Sequence, residues 1–339
     1  MVISMNKEHL TSTASDPEGL SSRARRLSRR PFALALALGA LGCLSSASLL
    51  SADDEVRVVC TIPDLADAAR RIGGEHVVVH SLAKGTENVH AVRIRPSDLN
   101  RTARADLFIE MGLSLEHAFV PGLLENARNK AIQPGAPGFV NCSDGWQPID
   151  VPESVSRSDA ADLHPMGNPH FNLDPRGGRH IAERVLQGLI VVAPEREEVF
   201  RANHARYLKE LDEKEASWAD LGKKLKGTRV VTYHGDFDYL LRSLGIERSA
   251  TIEPKPGVTP TPRYLASIVA KMKKDGISVI VTSAWSNNRS VRFVAEKTGA
   301  RIVVLPGMVG ASKQATTWVA LMDDIHRSLV DALSPPDKD

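Results

Sequence analysis

Eleven histidines are spread over the 339 residues, and three of them stand apart by position. His76 and His80 share a β-branched run. His117, His180, His204 and His326 fall inside helical patterns, where solvent or a backbone hydrogen bond accounts for an imidazole. His90, by contrast, comes just ahead of Pro96-Ser97-Asp98, and His170 just ahead of Leu173-Asp174-Pro175. His234 follows directly on an apolar strand-like run. Each sits where a strand or loop gives way to a helix, and in α/β folds ligand sites gather beyond the carboxyl ends of strands. Neutral imidazole is a good ligand for zinc and its neighbours, and three imidazoles with one further donor complete a tetrahedral shell. Intervals this wide exclude a zinc finger, whose ligands come in tight pairs, and suit a site assembled between two lobes. The same three residues also fit the polar lining of a pocket.

Other chemistry is thinner. No HExxH segment and no serine or cysteine nucleophile motif occurs. An exported zinc metallohydrolase would need a base beside the metal-bound water, and Glu253 or Asp236 could be imagined in that role. Each reads more simply as a surface or capping carboxylate. A pocket for an organic ligand or a metal chelate could draw on Tyr233, Trp285 and Arg289, although Trp285 serves equally as an apolar cover. Cys60 and Cys142 lie in apolar strand-like runs outside any CxxC; they read as buried small hydrophobes rather than a disulfide.

The elements that must position these histidines alternate. Strand-like runs at 56–61, 76–82, 106–111 and 138–142 are separated by helical patterns from 63 to 72, from Pro96 and over 115–130. After helical stretches at 175–192 and 195–226 the rhythm restarts. Strands are expected at 229–233, 250–253, 279–282 and 301–305, with helices at 236–244, 262–274, 290–298 and 316–333. Such alternation predicts parallel sheets covered by helices on both faces. The helix at 195–226 is unusually long; at 1.5 Å per residue it spans on the order of 45 Å, enough to run along two lobes. The expected organisation is a signal segment over 1–52, an N-terminal α/β lobe over 53–193, a connecting helix over 194–226 and a C-terminal α/β lobe over 227–335.

Charge separates the leader from the body. Six of the 43 Lys/Arg and three of the 41 Asp/Glu fall in residues 1–52, which leaves 37 against 38 and no electrostatic reason to expect nucleic acid as a partner. Residues 23–30 (RARRLSRR) are basic, 31–50 are apolar and small, and Ala52 precedes an acidic start, the order of a secretory signal. Ser28-Arg29-Arg30-Pro31-Phe32 looks like a twin-arginine motif, and Cys43 stands in a weak lipoprotein box. The mature chain is expected outside the cytoplasm, periplasmic or membrane-anchored.

Three ordered segments resemble the zinc/manganese-type ABC transporter solute-binding proteins. His90, followed by Pro96-Ser97-Asp98, Ala105-Asp106-Leu107 and Gly112-Leu113, looks like that family's first ligand region. Asn168-Pro169-His170-Phe171-Asn172-Leu173-Asp174-Pro175 resembles its second motif, usually DPHxWLDP. Tyr233-His234, with Phe237 and Tyr239, resembles its third. The likeness covers about residues 55–335. It implies two βα lobes with parallel sheets joined by one long rigid helix and a metal between them. It implies His90 and His170 as ligands from the first lobe and His234 from the second, with Asp98 and Asp174 capping helices or orienting ligands. It further implies a monomer that captures a divalent transition metal and passes it to the membrane permease of an ABC importer, without catalysis. Two departures stand out. No Asp or Glu occupies Leu305-Pro306-Gly307-Met308-Val309-Gly310, where relatives often supply a carboxylate, and Ser283-Ala284 replaces a frequent Glu-Pro. The loop before the second motif offers only His164. The fourth donor is therefore left to water, His164 or a residue the sequence does not reveal. A nitrogen-rich set favours zinc, with manganese as the alternative.

Overall fold

The computed structural model describes residues 55–153, 164–286 and 288–334. The expected leader, with Cys43, lies outside the described residues. The first half lays down β1 (Val56–Cys60), α1 (Pro63–Gly73), β2 (Val77–Ser81), α2 (Pro96–Ala103), β3 (Leu107–Glu110), α3 (Val120–Ala127) and β4 (Phe139–Asn141). These strands form one parallel sheet in the order β2-β1-β3-β4, with Val58 opposite Leu107 and Ile109 opposite Val140. VRVVC and LFIE are nearly continuous apolar runs because strands covered by helices on both faces have no polar side to present.

Two long helices follow, α4 (Pro175–Val192) and α5 (Glu197–Lys223). The expected 195–226 helix is trimmed at both ends, since Pro194–Arg196 forms a separate tight turn. Along α5 the buried residues are Phe200, His204, Tyr207, Leu211, Trp218 and Gly222, a single stripe at helical spacing on an otherwise polar rod. The second half adds β5 (Arg229–Thr232), α6 (Asp238–Ser243), β6 (Glu247–Thr251), α7 (Pro262–Asp275), β7 (Val279–Ser283), α8 (Asn288–Thr298), β8 (Arg301–Leu305) and α9 (Trp318–Leu333). Its sheet is also parallel, in the order β6-β5-β7-β8. The helix expected over 115–130 is the largest departure, shrinking to α3. Pro121 has no N–H to give to an earlier carbonyl, and Arg128 closes the far end in the left-handed conformation. β6 begins three residues earlier than the apolar pattern suggested, because its pairing with β5, Arg229 opposite Glu247, sets the register.

The halves are not separate hydrophobic bodies. One apolar cluster runs from the first sheet through α1, α4, α5 and α9 to one face of the second sheet, including Val230, Val279, Val281 and Leu305. The alternate strand residues Val231 and Ile280 face the other way and join Ile268, Met272, Val291 and Val294 in a second cluster under α7 and α8. Polar contacts stitch the same seam. On α1, Asp64 accepts the Val309 N–H at 3.1 Å and Asp67 accepts the Trp318 N–H at 2.9 Å. The Trp318 indole N–H in turn donates to the Asn172 carbonyl at 2.7 Å.

Candidate metal centre

All three histidines singled out by position leave short connecting segments at the edge of this frame. His90 lies in a tight turn, Val89–Ala91, beyond the end of β2, held by its N–H donating to the Asn88 side chain at 3.0 Å. His170 precedes the turn Phe171–Leu173 that leads into α4. That turn sits directly on the helix because Gly177 has no side chain: a Cβ there would lie 1.8 Å from the Phe171 carbonyl oxygen. His234 follows the end of β5, two residues past Thr232. One side chain ties the two halves together at this point. Asn168 accepts the His170 N–H at 2.9 Å and donates to the Gly235 carbonyl at 2.9 Å, while the Tyr239 hydroxyl donates to the Asn168 carbonyl at 2.8 Å.

His90, His170 and His234 each offer one ring nitrogen, and these atoms lie within 4.8 Å of one another. The ring centroids are 5.2 to 5.5 Å apart, and all three residues are buried. His164 joins them with its ring 5.1 Å from that of His90 and 6.2 Å from that of His170. Trp285 lies over the group, 6.1 Å from His90 and 5.8 Å from His234, as an aromatic cover.

Burial, reinforced by the neighbouring imidazoles, holds His90 and His170 well below the usual histidine range, so both rings are neutral and carry free lone pairs. His164 is pushed down to about 4, first by burial. For His234, burial acts downward as well, but Asp236 and Glu253 outweigh it and hold the ring above its ordinary value. Glu253 accepts the Nδ1–H of His234 at 2.5 Å, which turns Nε2 toward the other rings. Both ring nitrogens of His90 and of His164, Nε2 of His170 and Oδ1 of Asp236 are buried without a hydrogen-bond partner. Buried polar atoms are seldom left so. A cluster of lone pairs, neutral nitrogens beside one carboxylate oxygen, has the donor chemistry of a cation site.

The sequence reading missed two residues here. Asp236 and Glu253, expected as surface or capping carboxylates, are only 4% and 8% exposed and face the histidines. Their signal was available in the spacing of His234 and Asp236 two residues apart, but a carboxylate ahead of a helix is more often a cap, and only the sheet brings Glu253 beside His234 through the β5–β6 pairing. Asp98 and Asp174 do cap helices: Asp98 accepts the Arg95 N–H at 2.9 Å and Asp174 accepts the Arg176 N–H at 2.8 Å. Asp98 also pairs with His80 at 2.8 Å, away from the three rings. His180 and His326 bond to backbone carbonyls. Cys60 and Cys142 are buried free thiols.

A cavity of ≈ 220 Å³ opens on the group, lined by His164, His170, His234 and Glu253 and, farther out, by Asp150 and Arg248.

Residues 58–332 match the family profile described as the zinc-uptake complex component A, periplasmic. Among curated proteins, the manganese ABC transporter substrate-binding lipoprotein PsaA of Streptococcus pneumoniae is 25% identical over 268 residues, covering 78% of this chain and 83% of its own. The iron ABC transporter substrate-binding lipoprotein MtsA of Streptococcus pyogenes serotype M1 is 25% identical over 294 residues, covering 83% and 90%. Among solved structures, a crystal structure of ZnuA superposes with a TM-score of 0.70 at 19% identity, over 83% of this chain and all (100%) of the other. The Mn-bound periplasmic metal binding protein of Candidatus Liberibacter asiaticus gives 0.68 at 20% identity, over 82% and 99%. At these identities the structural matches speak for the fold alone: two parallel-sheet α/β lobes with a long helix.

Proposed function

Because this chain belongs to the family of periplasmic zinc-uptake component A proteins, we propose that it is an extracytoplasmic solute-binding protein that captures a divalent transition metal and delivers it to the permease of an ABC importer. The single observation that carries the reading is the convergence of three buried histidines, far apart in the chain, with donor atoms within 4.8 Å. The ion is cargo, and His90, His170 and His234 are its ligands. His90 and His170 contribute rings kept neutral by burial, and His234 contributes Nε2, aimed by Glu253. Zinc is favoured by three imidazole nitrogens, and manganese, the cargo in the name of one relative, is the alternative. The role is binding and delivery without turnover, by a monomer exported through the signal in residues 1–52. The organisation is that of a lobe over 53–193, a connecting segment over 194–226 built on α5 (Glu197–Lys223) and a lobe over 227–335.

The deciding experiment is metal titration of the purified mature protein with Zn²⁺ and Mn²⁺, wild type beside His90→Ala, His170→Ala and His234→Ala. One tight site in the wild type, weakened in each variant, is the expected result. A wild type that binds neither ion, or variants that bind as the wild type does, would overturn the assignment.

A further inference from the structure

The loop after β8, residues 306–310, has no carboxylate, yet one carboxylate oxygen at the centre is left unpartnered. Asp236 is 4% exposed. Its Oδ1 has no hydrogen-bond partner and lies 3.6 Å from Nε2 of His234 and 3.7 Å from Nε2 of His170. With metal–ligand bonds of about 2.0–2.1 Å, two donors of a tetrahedral shell stand about 3.4 Å apart, so this oxygen already occupies a position suited to sharing an ion with both rings. The other oxygen is anchored. Oδ2 accepts the Ser283 hydroxyl at 2.8 Å, and Ser283 Oγ is also 2.8 Å from Ser286 Oγ. Ser283 ends β7, so the carboxylate is fixed by the sheet rather than by its own loop. His164, the other candidate, is joined by ring contacts to His90 and His170, but neither of its ring nitrogens has a hydrogen-bond partner to fix it in place.

We propose that Asp236, positioned by Ser283, is the fourth metal donor of this protein, so that the second half supplies two ligands, His234 and Asp236, from one short segment. The assignment rests on the proposed three-histidine site and completes it as three nitrogens and one carboxylate oxygen. An anionic fourth donor neutralises half the charge of a divalent ion inside a buried site and adds a hard ligand to a soft-leaning set, which widens the range of ions the centre holds. Ser283 acts as a positioning residue and touches no metal.

The test uses Zn²⁺, Mn²⁺ and Co²⁺ on the mature protein. Asp236→Asn keeps the shape and the contact with Ser283 but removes the charge. It is expected to weaken Zn²⁺ binding by more than about 100-fold, beyond the range of about 10- to 100-fold seen for outer partners, and to weaken Mn²⁺ by a larger factor. The visible bands of the Co²⁺ form should shift in wavelength. Ser283→Ala should give a smaller loss with the Co²⁺ bands retained. In the metal-free state Asp236→Asn should melt at or above the wild-type temperature, because it relieves a buried carboxylate with one unbonded oxygen. Unchanged affinities and Co²⁺ bands in Asp236→Asn, with His234→Ala impaired, would overturn the proposal while leaving the three-histidine reading standing. So would loss of the site in His164→Ala but not in Asp236→Asn. A wild type that binds none of the three ions defeats the underlying reading instead.

Discussion

Removing the charge behind His234 gives the sharpest probe of how the centre is built. Glu253 and His234 are both buried, and the carboxylate accepts the Nδ1–H at 2.5 Å, so the bond is charge-assisted and shielded from water. Bonds of that kind contribute about 1.5–3 kcal/mol. Loss of an outer carboxylate partner typically lowers metal affinity about 10- to 100-fold, equivalent to about 1.4–2.7 kcal/mol. The two ranges coincide, as they should if the bond works by orienting the ring and raising its basicity. Glu253→Gln retains an oxygen that can accept the Nδ1–H, so the ring stays aimed and only the charge is lost; about tenfold weaker binding is expected. Glu253→Ala also frees the Gly257 N–H, which Glu253 accepts at 3.0 Å, and about 100-fold weaker binding is expected. Competition of each metal-free variant against a chromophoric zinc chelator reads both values, with denaturant melts confirming that the fold is intact. Wild-type affinity in Glu253→Ala, alongside a His234→Ala variant that binds poorly, would refute the idea that the carboxylate aims the ring.

Other outcomes follow from the seam and the core. Asp64, raised to about 7 chiefly by burial, keeps in the folded state a proton that the unfolded chain releases near pH 4. Its contribution is therefore fully present below about pH 4 and lost as pH rises toward 7, a span of about 4 kcal/mol at most. Asp64→Asn should flatten the urea midpoint against pH over that window, and parallel wild-type and variant curves would contradict it. Gly178→Ala would place a Cβ 2.3 Å from the Trp318 ring, and a destabilisation of about 1–3 kcal/mol in chemical denaturation is expected. A neutral result would mean that the indole can shift. Zinc at a hundred times its dissociation constant should add about 2.7 kcal/mol to unfolding stability. A chelator should reverse that gain and leave a folded protein, since both apolar clusters close without the site; unfolding on chelation would show the ion to be structural.

The alternation of β-branched runs and helical patterns made the two sheets legible, because parallel strands covered on both faces must be apolar throughout. α4 and β8 fall within the stretches expected of them, since Pro175 starts the helix and the Gly299–Arg301 boundary starts the strand. The start of α5 and the short α3 were less legible; proline chemistry at Pro194 and Pro121 overrode helical periodicity. At the centre, His90, His170 and His234 were legible from their places at strand and helix junctions. Asp236 and Glu253 were not. Their role depends on which way a carboxylate turns after β5 and on the pairing of β5 with β6, and neither is written in local spacing.

The unbroken apolar seam through α1, α4, α5 and α9 governs how such a molecule can discharge what it carries. Swinging the halves apart like a clamshell would wet that seam. At about 25 cal/mol per Å², exposing about 400 Å² of it would cost about 10 kcal/mol, comparable to the whole stability of a typical domain. Small excursions of the segments bearing His170 and His234, held to each other by the Asn168 side chain and the Tyr239 hydroxyl, disturb far less. A docking partner seeking to unload the ion has its best purchase there, by prying at a few polar contacts rather than by bending the rod behind them.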